Sequence, residues 1–597
     1  MRLLEHFPNL VAMFFARARE KGDSPFLWAK REGAWRPISW REAADQVCSL
    51  AAGLKAIGLR PGEMVMLVSE NRPEWCIADL AIMTAGCVTV PAYTTNTERD
   101  HQHILDDSGA RAVIVSTQKL ARPLLPAAIR SNVCEHVIGI EALPGGQSGN
   151  VCFHDWKTLI AAHAPDVAAC TAAADKVTRD DLACLIYTSG TGGAPRGVMQ
   201  HHGGILHNVE GCIEVISEDF GVSEEVFLSF LPPSHAYEHS GGQFFPIGIA
   251  AQIYYSEGLE KLASNIEEVR PTMMIVVPRL LEVLRQRILK NVEKQGRLAN
   301  YLMKRALEIG ARDYSGTKSL WDRPMDLVLD RLLRPKISAR FGGRVKAMVC
   351  GGAPLNPEVG IFFHAIGLTV LQGYGQTEAA PVISCNRPKA GVKMDTVGPP
   401  LRNTEVRIAE DGEILVRGEL VMKGYWRNPG QTEKAIQDGW LHTGDVGHVD
   451  EAGRIVITDR KKDLIVNDKG DNVSPQKVEG MLTLQPEILQ AMVVGDRRPY
   501  LVGVLVPDPE WTAEWAAANG KPKDDESLRG DPLYMRALSA AVDRVNADLS
   551  VIEKVRRFIL ADSPFSTENE QLTPSIKIRR HVIRAAYGER LDALYKK

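Results

Sequence analysis

Residues 188–197, TSGTGGAPRG, bring together hydroxyls at Thr188, Ser189 and Thr191, bare backbone at Gly190, Gly192, Gly193 and Gly197, and a permanent cation at Arg196. Glycine lets a backbone approach closely and adopt positive φ, and hydroxyls with a guanidinium supply directed donors, so this run suits the oxygens of a polyphosphate. A surface turn uses the same residue types, and the spacing fits neither GxxxxGK[ST] nor GxGxxG. Residues 372–378, QGYGQTE, offer a second set. Tyr374 between Gly373 and Gly375 can lay its ring against a flat base, Thr377 can donate to a phosphate, and Glu378 can hold a hard cation. In DGWLHTGDVG, residues 438–447, Asp445 can accept from both hydroxyls of a ribose, and Arg460 lies further along the chain for the same sugar. Lys577 is the only lysine in QLTPSIKIRRHVI, residues 571–583, and a lone amine on a turn is ordinarily a solvated charge.

His235 to His239, HAYEH, satisfies the HxxEH pattern of inverted zinc proteases, but no third ligand stands at a suitable spacing. Beyond it, residues 240–251, SGGQFFPIGIAA, combine small side chains such as Gly241 and Gly242 with Phe244 and Phe245. Small residues on a buried face leave room for an alkyl chain, whose burial is worth roughly 0.8 kcal/mol per methylene; a close-packed helix has the same composition.

The elements that must position these residues alternate. Ser39 and Glu42 form a capping box ahead of Val47, Leu50, Ala51 and Leu54 at helical spacing, stopped by Gly58. Strands are expected at 64–68, 88–90 and 112–115, with helices near 75–85 and 99–107 between them, the pattern of a parallel sheet covered by helices. Residues 143–175 read as a connection, after which the loop at 188–197 is expected to begin a second α/β unit with strands at 226–231, 252–255, 273–277, 345–349 and 368–371. Residues 280–341 form a charged, helix-prone insertion, read as a solvated helical flap. Residues 396–458 read as a small β-rich part, 459–462 as a hinge, and 463–597 as a small α+β domain, with 521–531 a mobile loop. The fold class is thus α/β, with a large first domain over 1–458.

The bulk composition narrows the options. The 597-residue chain has 24% charged and 45% hydrophobic residues and a formal net charge of -3, without the basic excess of a nucleic-acid binder. All 10 cysteines lie singly between Cys48 and Cys385, which argues for reduced thiols in a cytoplasmic compartment. Glu5, His6 and Pro8 interrupt any signal-peptide core, and the apolar run 76–93 contains Asp79, Gly86 and Pro91, so no membrane span is expected. Oligomeric state is left open, a homodimer among the options, as is contact of Leu10, Phe14 and Phe15 with lipid.

Taken in order, YTSGTGGAPRGV, LPPSH, QGYGQTE, DGWLHTGD, DRKKDLI and LTPSIKIRR resemble the successive motifs of the adenylate-forming acyl-CoA synthetases, the AMP-binding enzymes, and NRPEW at 71–75 extends the likeness over nearly the whole chain. The insertion after Arg279 is similar to the long-chain fatty acid branch. The resemblance implies ATP-dependent formation of an acyl-adenylate with Mg²⁺ on Glu378, then transfer to coenzyme A, from the cytosolic face of a membrane. It implies nucleotide contacts at Thr188 to Gly193, Gly351, Gly352, Ala353, Gln372 to Gln376, Asp445 and Arg460. Catalytic roles fall on Arg196, His235, Thr377, Glu378 and Lys577, with Lys577 bridging carboxylate and α-phosphate. His235, Gly241, Gly242 and Phe244 would line the acyl pocket, Lys462 would be the hinge, and Gly470, Asp471 and Asn472 would face coenzyme A. Where the family usually has threonine and lysine, this chain has Gly192 and Arg196.

Overall fold

The computed structural model describes residues 5–143, 151–188, 194–522, 525–573 and 578–596. They form two compact units, the first taking the chain to residue 408 with 415–443 and 449–456, the second taking 409–414, 444–448 and 457–597.

Two sheets dominate the first unit. One has seven strands in the order Cys152–Asp155, His136–Gly139, Ala112–Val115, Met64–Val68, Val88–Ala92, Leu182–Thr188 and Arg196–His201. Its pairs are parallel except the last, where Arg196–His201 runs back antiparallel to Leu182–Thr188. The other has eight strands in the order Val382–Cys385, Val370–Gly375, Ala347–Cys350, Met273–Val276, Val226–Ser229, Gln252–Tyr255, Pro25–Arg31 and Ala34–Ser39, parallel inside and antiparallel at both edges. Strands such as MVMLV at Met64–Val68 are buried along their whole length, because a parallel sheet is covered on both faces and continuous apolar runs, not alternating ones, satisfy that setting.

The helix Pro73–Thr84 is buried on all sides, in keeping with its apolar circumference. Its fully buried carboxylate, Asp79, meets the Nε2 of His239 at 2.9 Å and accepts at 3.3 Å from the Gln243 side-chain amide, all three side chains being buried. Leu10, Phe14 and Phe15 of the helix Leu10–Lys21 are also core residues, Phe14 packing on Phe15, Phe26 and Trp40, so that side of the N-terminus faces protein.

Several expectations need correction. The loop after Tyr187 does not open a second α/β unit; its flanking strands are a hairpin at the edge of the first sheet, because residues 196–201 pair back on 182–188 instead of entering a helix. The stretch 143–175 is no mere connection. It supplies the strand Cys152–Asp155, the helix Trp156–Ala161 capped by Asp155, and the helix Val167–Ala174 capped by Asp166, whose alanines are good helix formers. Gln372 to Gly375 lie on a strand instead of following one, since Gly373 to Gly375 pair with 382–385. The 521–531 stretch is tied down where described, with Lys521 paired to Asp531 at 2.6 Å and Leu528 buried beneath the short helix Asp525–Arg529.

In the second unit the strands Ile488–Val494, Leu501–Pro507 and Val555–Leu560 make one sheet, with the helices Pro475–Leu482, Pro509–Ala518, Pro532–Asp548 and Arg580–Ala593 completing an α+β domain. A small hairpin, Ile465–Val466 with Asn472–Val473, precedes them.

Asn9 locks the start of the first unit: its Oδ1 caps the first helix by accepting from Ala12 N–H at 2.8 Å, and its Nδ2 donates to the carbonyls of Ala174 and Val177 at 2.8 and 2.9 Å. Asn9→Ala removes a cap and strands two acceptors, a loss of about 3 kcal/mol, read as a lower urea midpoint. Asn9→Ser, whose hydroxyl can still cap the helix but cannot reach both carbonyls, falls between the two.

Candidate functional site

The chemistry-bearing residues of the first unit collect at the C-terminal ends of neighbouring parallel strands, the place where open α/β sheets bind ligands. Val226–Ser229 leads to His235, Ala347–Cys350 to Gly351, Gly352 and Ala353, and Val370–Gly375 to Gln376, Thr377 and Glu378. Tyr237 ties the first two together, its hydroxyl donating to the Val349 carbonyl at 2.8 Å. A Cβ on Gly351 would come within 3.1 Å of that ring, so the backbone there must be bare. Gly375 is constrained more severely: a Cβ would lie 1.8 Å from the Pro381 carbonyl oxygen, which accepts from Gln376 N–H at 2.9 Å. Thr377 and Glu378 thus leave the strand in one fixed direction.

Residues from the seven-stranded sheet complete the cluster. Gln200 on Arg196–His201 donates to the Thr377 carbonyl at 2.7 Å. Beside that strand runs the segment 423–426, joined by Lys423 N–H to Met199 O, Met199 N–H to Gly424 O, and Trp426 N–H to Gly197 O. It carries Tyr425, whose hydroxyl donates to Glu378 Oε1 at 2.7 Å while the Arg196 guanidinium stacks 4.3 Å from its ring centroid and reaches Gln431 Oε1 at 3.4 Å. Burial, and then the Glu378 carboxylate, push the Tyr425 phenol above its ordinary range, so it stays a donor. Sequence reading missed Tyr425; a Gly-Tyr-Trp run outside the motifs gave no signal that it would stand between Arg196 and Glu378.

Gln372 is buried, and its Oε1 has no partner among the described residues. Thr188 ends its strand opposite Arg196. Ser189, Gly190, Thr191, Gly192 and Gly193 lie outside the described residues, as does Lys577.

His235 heads a continuous helical run formed by Ala236–Glu238, the π-helical His239–Phe244 and Phe245–Gly248. Its Nδ1 accepts from Tyr237 N–H at 3.1 Å, and Glu238 Oε1 accepts from the Ser229 hydroxyl at 2.6 Å. With His239 on Asp79, the HAYEH residues are thus engaged in separate bonds. Gly241 faces Ile275, Gly242 lies against the Glu238 carboxyl, and Phe244 is fully buried with its ring edge-on to His239.

In the second unit Asp445 sits within the strand Trp440–Val449, not in a turn, because residues 440–449 continue as one strand through Gly444 at φ 72°. Gly444 N–H donates to Glu413 Oε1 at 2.9 Å, and Asp445 pairs with Arg460 at 3.2 Å. Lys462 is exposed. Gly470, at φ 88° with open space around it, turns the small hairpin; Asp471 and Asn472 follow, Asn467 Oδ1 accepting from both Lys469 and Asp471 N–H.

The AMP-binding enzyme family matches residues 14–426, and its C-terminal domain matches 462–597. The chain is 32% identical over 598 residues to the long-chain-fatty-acid–CoA ligase FadD15 of Mycobacterium bovis, covering 99% of this chain and 97% of that one. It is 31% identical to the peroxisomal long chain acyl-CoA synthetase 7 of Arabidopsis thaliana, covering 94% and 82%. Among solved structures, the adenylation domain of a carboxylate reductase from Mycobacterium chelonae has the same fold, with a TM-score of 0.76, 22% identity, and coverage of 99% and 92%.

Glu238 gives a pH test of this region. Burial pushes its carboxyl from 4.5 up to about 8, opposed by the Ser229 hydroxyl, and Oε2 has no partner among the described residues. The native state therefore keeps a proton that the unfolded chain releases. Its contribution is complete below 4.5 and is lost as pH rises through 8. Glu238→Gln flattens the melting temperature between these values and gains on the wild type in the alkaline part of the range; parallel curves would contradict the protonated reading.

Proposed function

The chain belongs to the AMP-binding enzyme family, and from that premise we propose that it activates a long-chain fatty acid with ATP and passes the acyl group to coenzyme A. The observation that carries this reading is the likeness to long-chain ligases from end to end of the chain, on a fold whose strand ends gather the nucleotide motifs.

The fatty acid carboxylate oxygen attacks the α-phosphorus of ATP, breaking the bond to pyrophosphate and giving an acyl-adenylate. The coenzyme A sulfur then attacks the acyl carbon, AMP departs with the electron pair of the mixed-anhydride C–O bond, and the thiol proton goes to solvent. The residues fit these substrates. Gln372 offers a buried oxygen with no partner among the described residues, Gly351 and Gly375 leave backbone bare, and Arg196 supplies a cation held by a ring instead of by a carboxylate. Glu378, with Thr377 beside it, would hold Mg²⁺, which when bound neutralises phosphate charge. Arg196 and the 188–193 loop would face the phosphates, and Tyr374 the base. Asp445 and Arg460 would take the ribose, and His235 the acyl carboxylate.

Lys577 would bridge carboxylate and α-phosphate in the first step, and rotation at Lys462 would replace it with the coenzyme A loop Gly470, Asp471 and Asn472 in the second. Gly241 and Gly242 would border the alkyl chain; the full burial of Phe244 favours a wall over a gate. The site of action we assign to the cytoplasm at the inner face of a membrane. No described helix is long and apolar enough to cross a membrane.

A panel of acids assayed for thioester formation tests the substrate: palmitate is expected to exceed benzoate by at least about a hundredfold, since many buried methylenes add up. Equal product from both would sink the long-chain reading. In separate half-reactions, Lys577→Ala loses adenylate formation yet still converts supplied acyl-adenylate to thioester. Tyr425→Phe, which keeps the ring under Arg196 but drops the bond to Glu378, slows pyrophosphate release about tenfold.

A further inference from the structure

The insertion between 280 and 341 folds as the helices Pro278–Lys294, Arg297–Tyr314, Arg323–Leu332 and Arg334–Arg340. The helix Arg323–Leu332 buries Leu329 yet leaves much of its apolar surface on the solvent side. Its carboxylates are taken up by ion pairs: Asp326 pairs with Lys318 and Arg334, each at 2.7 Å, and Asp330 with Arg334 at 2.6 Å, while Asp322 just before it pairs with Arg312. Leu327, Val328 and Leu332 of this helix are nevertheless exposed, as are Leu320 and Trp321 just before it. Trp321 is 91% exposed, Leu320 70%, Leu327 57% and Leu332 50%, with Val328 between them. Val328 and Leu332, four positions apart on the helix, share a face, with Leu327 beside Val328.

Cations frame that face. Arg323, Arg331 and Lys336 are exposed, and none has a carboxylate partner among the described residues. The insertion carries twice as many Lys and Arg as Asp and Glu, in a chain whose formal net charge is -3. With these acids paired to Arg312, Lys318 and Arg334, the exposed Arg323, Arg331 and Lys336 stay uncompensated, so the surface presents apolar groups ringed by positive charge. A soluble protein surface does not maintain such a patch without a use for it.

We propose that this face is where the enzyme rests on an anionic lipid surface, with Trp321, Leu327 and Leu332 entering the headgroup boundary and Arg323, Arg331 and Lys336 meeting lipid phosphates. Exposed Trp and Leu beside unpaired Arg and Lys match the chemistry of an interfacial helix, and the charge complementarity favours anionic lipid over a second, overall acidic copy of this chain. The inference takes its biological sense from the long-chain substrate, which partitions into membranes, but its test does not need turnover.

Flotation of the full chain with vesicles of phosphatidylcholine, and of phosphatidylcholine with phosphatidylglycerol, tests it. Binding is expected to favour the anionic vesicles and to weaken as salt is raised. The pair W321S with L327S is expected to weaken binding about tenfold on both vesicle types. The pair R323E with R331E is expected to abolish the preference for the anionic vesicles. Both variants should keep wild-type thioester formation from a soluble medium-chain acid, which shows that they are folded. Equal vesicle binding by wild type and both variants overturns the proposal, as does a wild type that ignores vesicles but forms a dimer in light scattering that W321S disrupts. Vesicle binding without palmitate turnover leaves this assignment standing and sinks the substrate reading instead.

Discussion

Arg196 and Glu378 carry opposite charges close enough to share one neighbour, and left to themselves they would neutralise each other. In the proposed reaction Arg196 would meet phosphate oxygens and Glu378 a metal cation, which would need the two charges separate. Tyr425 achieves this with both ends of one side chain: its ring face takes the guanidinium at 4.3 Å and its hydroxyl takes the carboxylate at 2.7 Å. Each ion is satisfied without the other, and each keeps a side for a ligand. The arrangement depends on the segment 423–426 lying along Arg196–His201, and so on the hairpin that turns back at the edge of the seven-stranded sheet.

The fold class and the order of the motifs were legible because they rest on local signals. Apolar runs of strand length, the capping box at Ser39 and Glu42, and glycines between hydroxyls all act within a few residues. What was not legible depends on pairing at a distance. Nothing in RGVMQH says whether it continues toward a helix or folds back on LACLIYT; the ladder between Tyr187 and Gly197 decides it. The same holds for Gln372 to Gly375, where a Gly-Tyr-Gly run looks like a turn until the partner strand 382–385 is present. Tyr425 is the extreme case, since its role exists only once two sheets and a third segment meet.

Burial separates residues that composition treats alike. Phe14 and Phe15 look as suited to lipid as Trp321 and Leu327, yet the first pair is core and the second is exposed. The difference lies in partners, because the first helix has Phe26 and Trp40 to pack against. The insertion helix buries Leu329 but has no aromatic cluster to cover Leu327, Val328 and Leu332.

The departure at position 196 is matched by its surroundings. A lysine there would bring a compact, strongly hydrated ammonium with no plane to lay on a ring. Arginine has such a plane, and Tyr425 supplies the face for it, while the guanidinium edge reaches Gln431. The guanidinium is thus fixed before any anion arrives, and a fixed donor loses less freedom on binding than a mobile one. That ordering offsets part of what a glycine in place of a hydroxyl at 192 takes away. On the proposed reading the two substitutions would belong to one altered phosphate site.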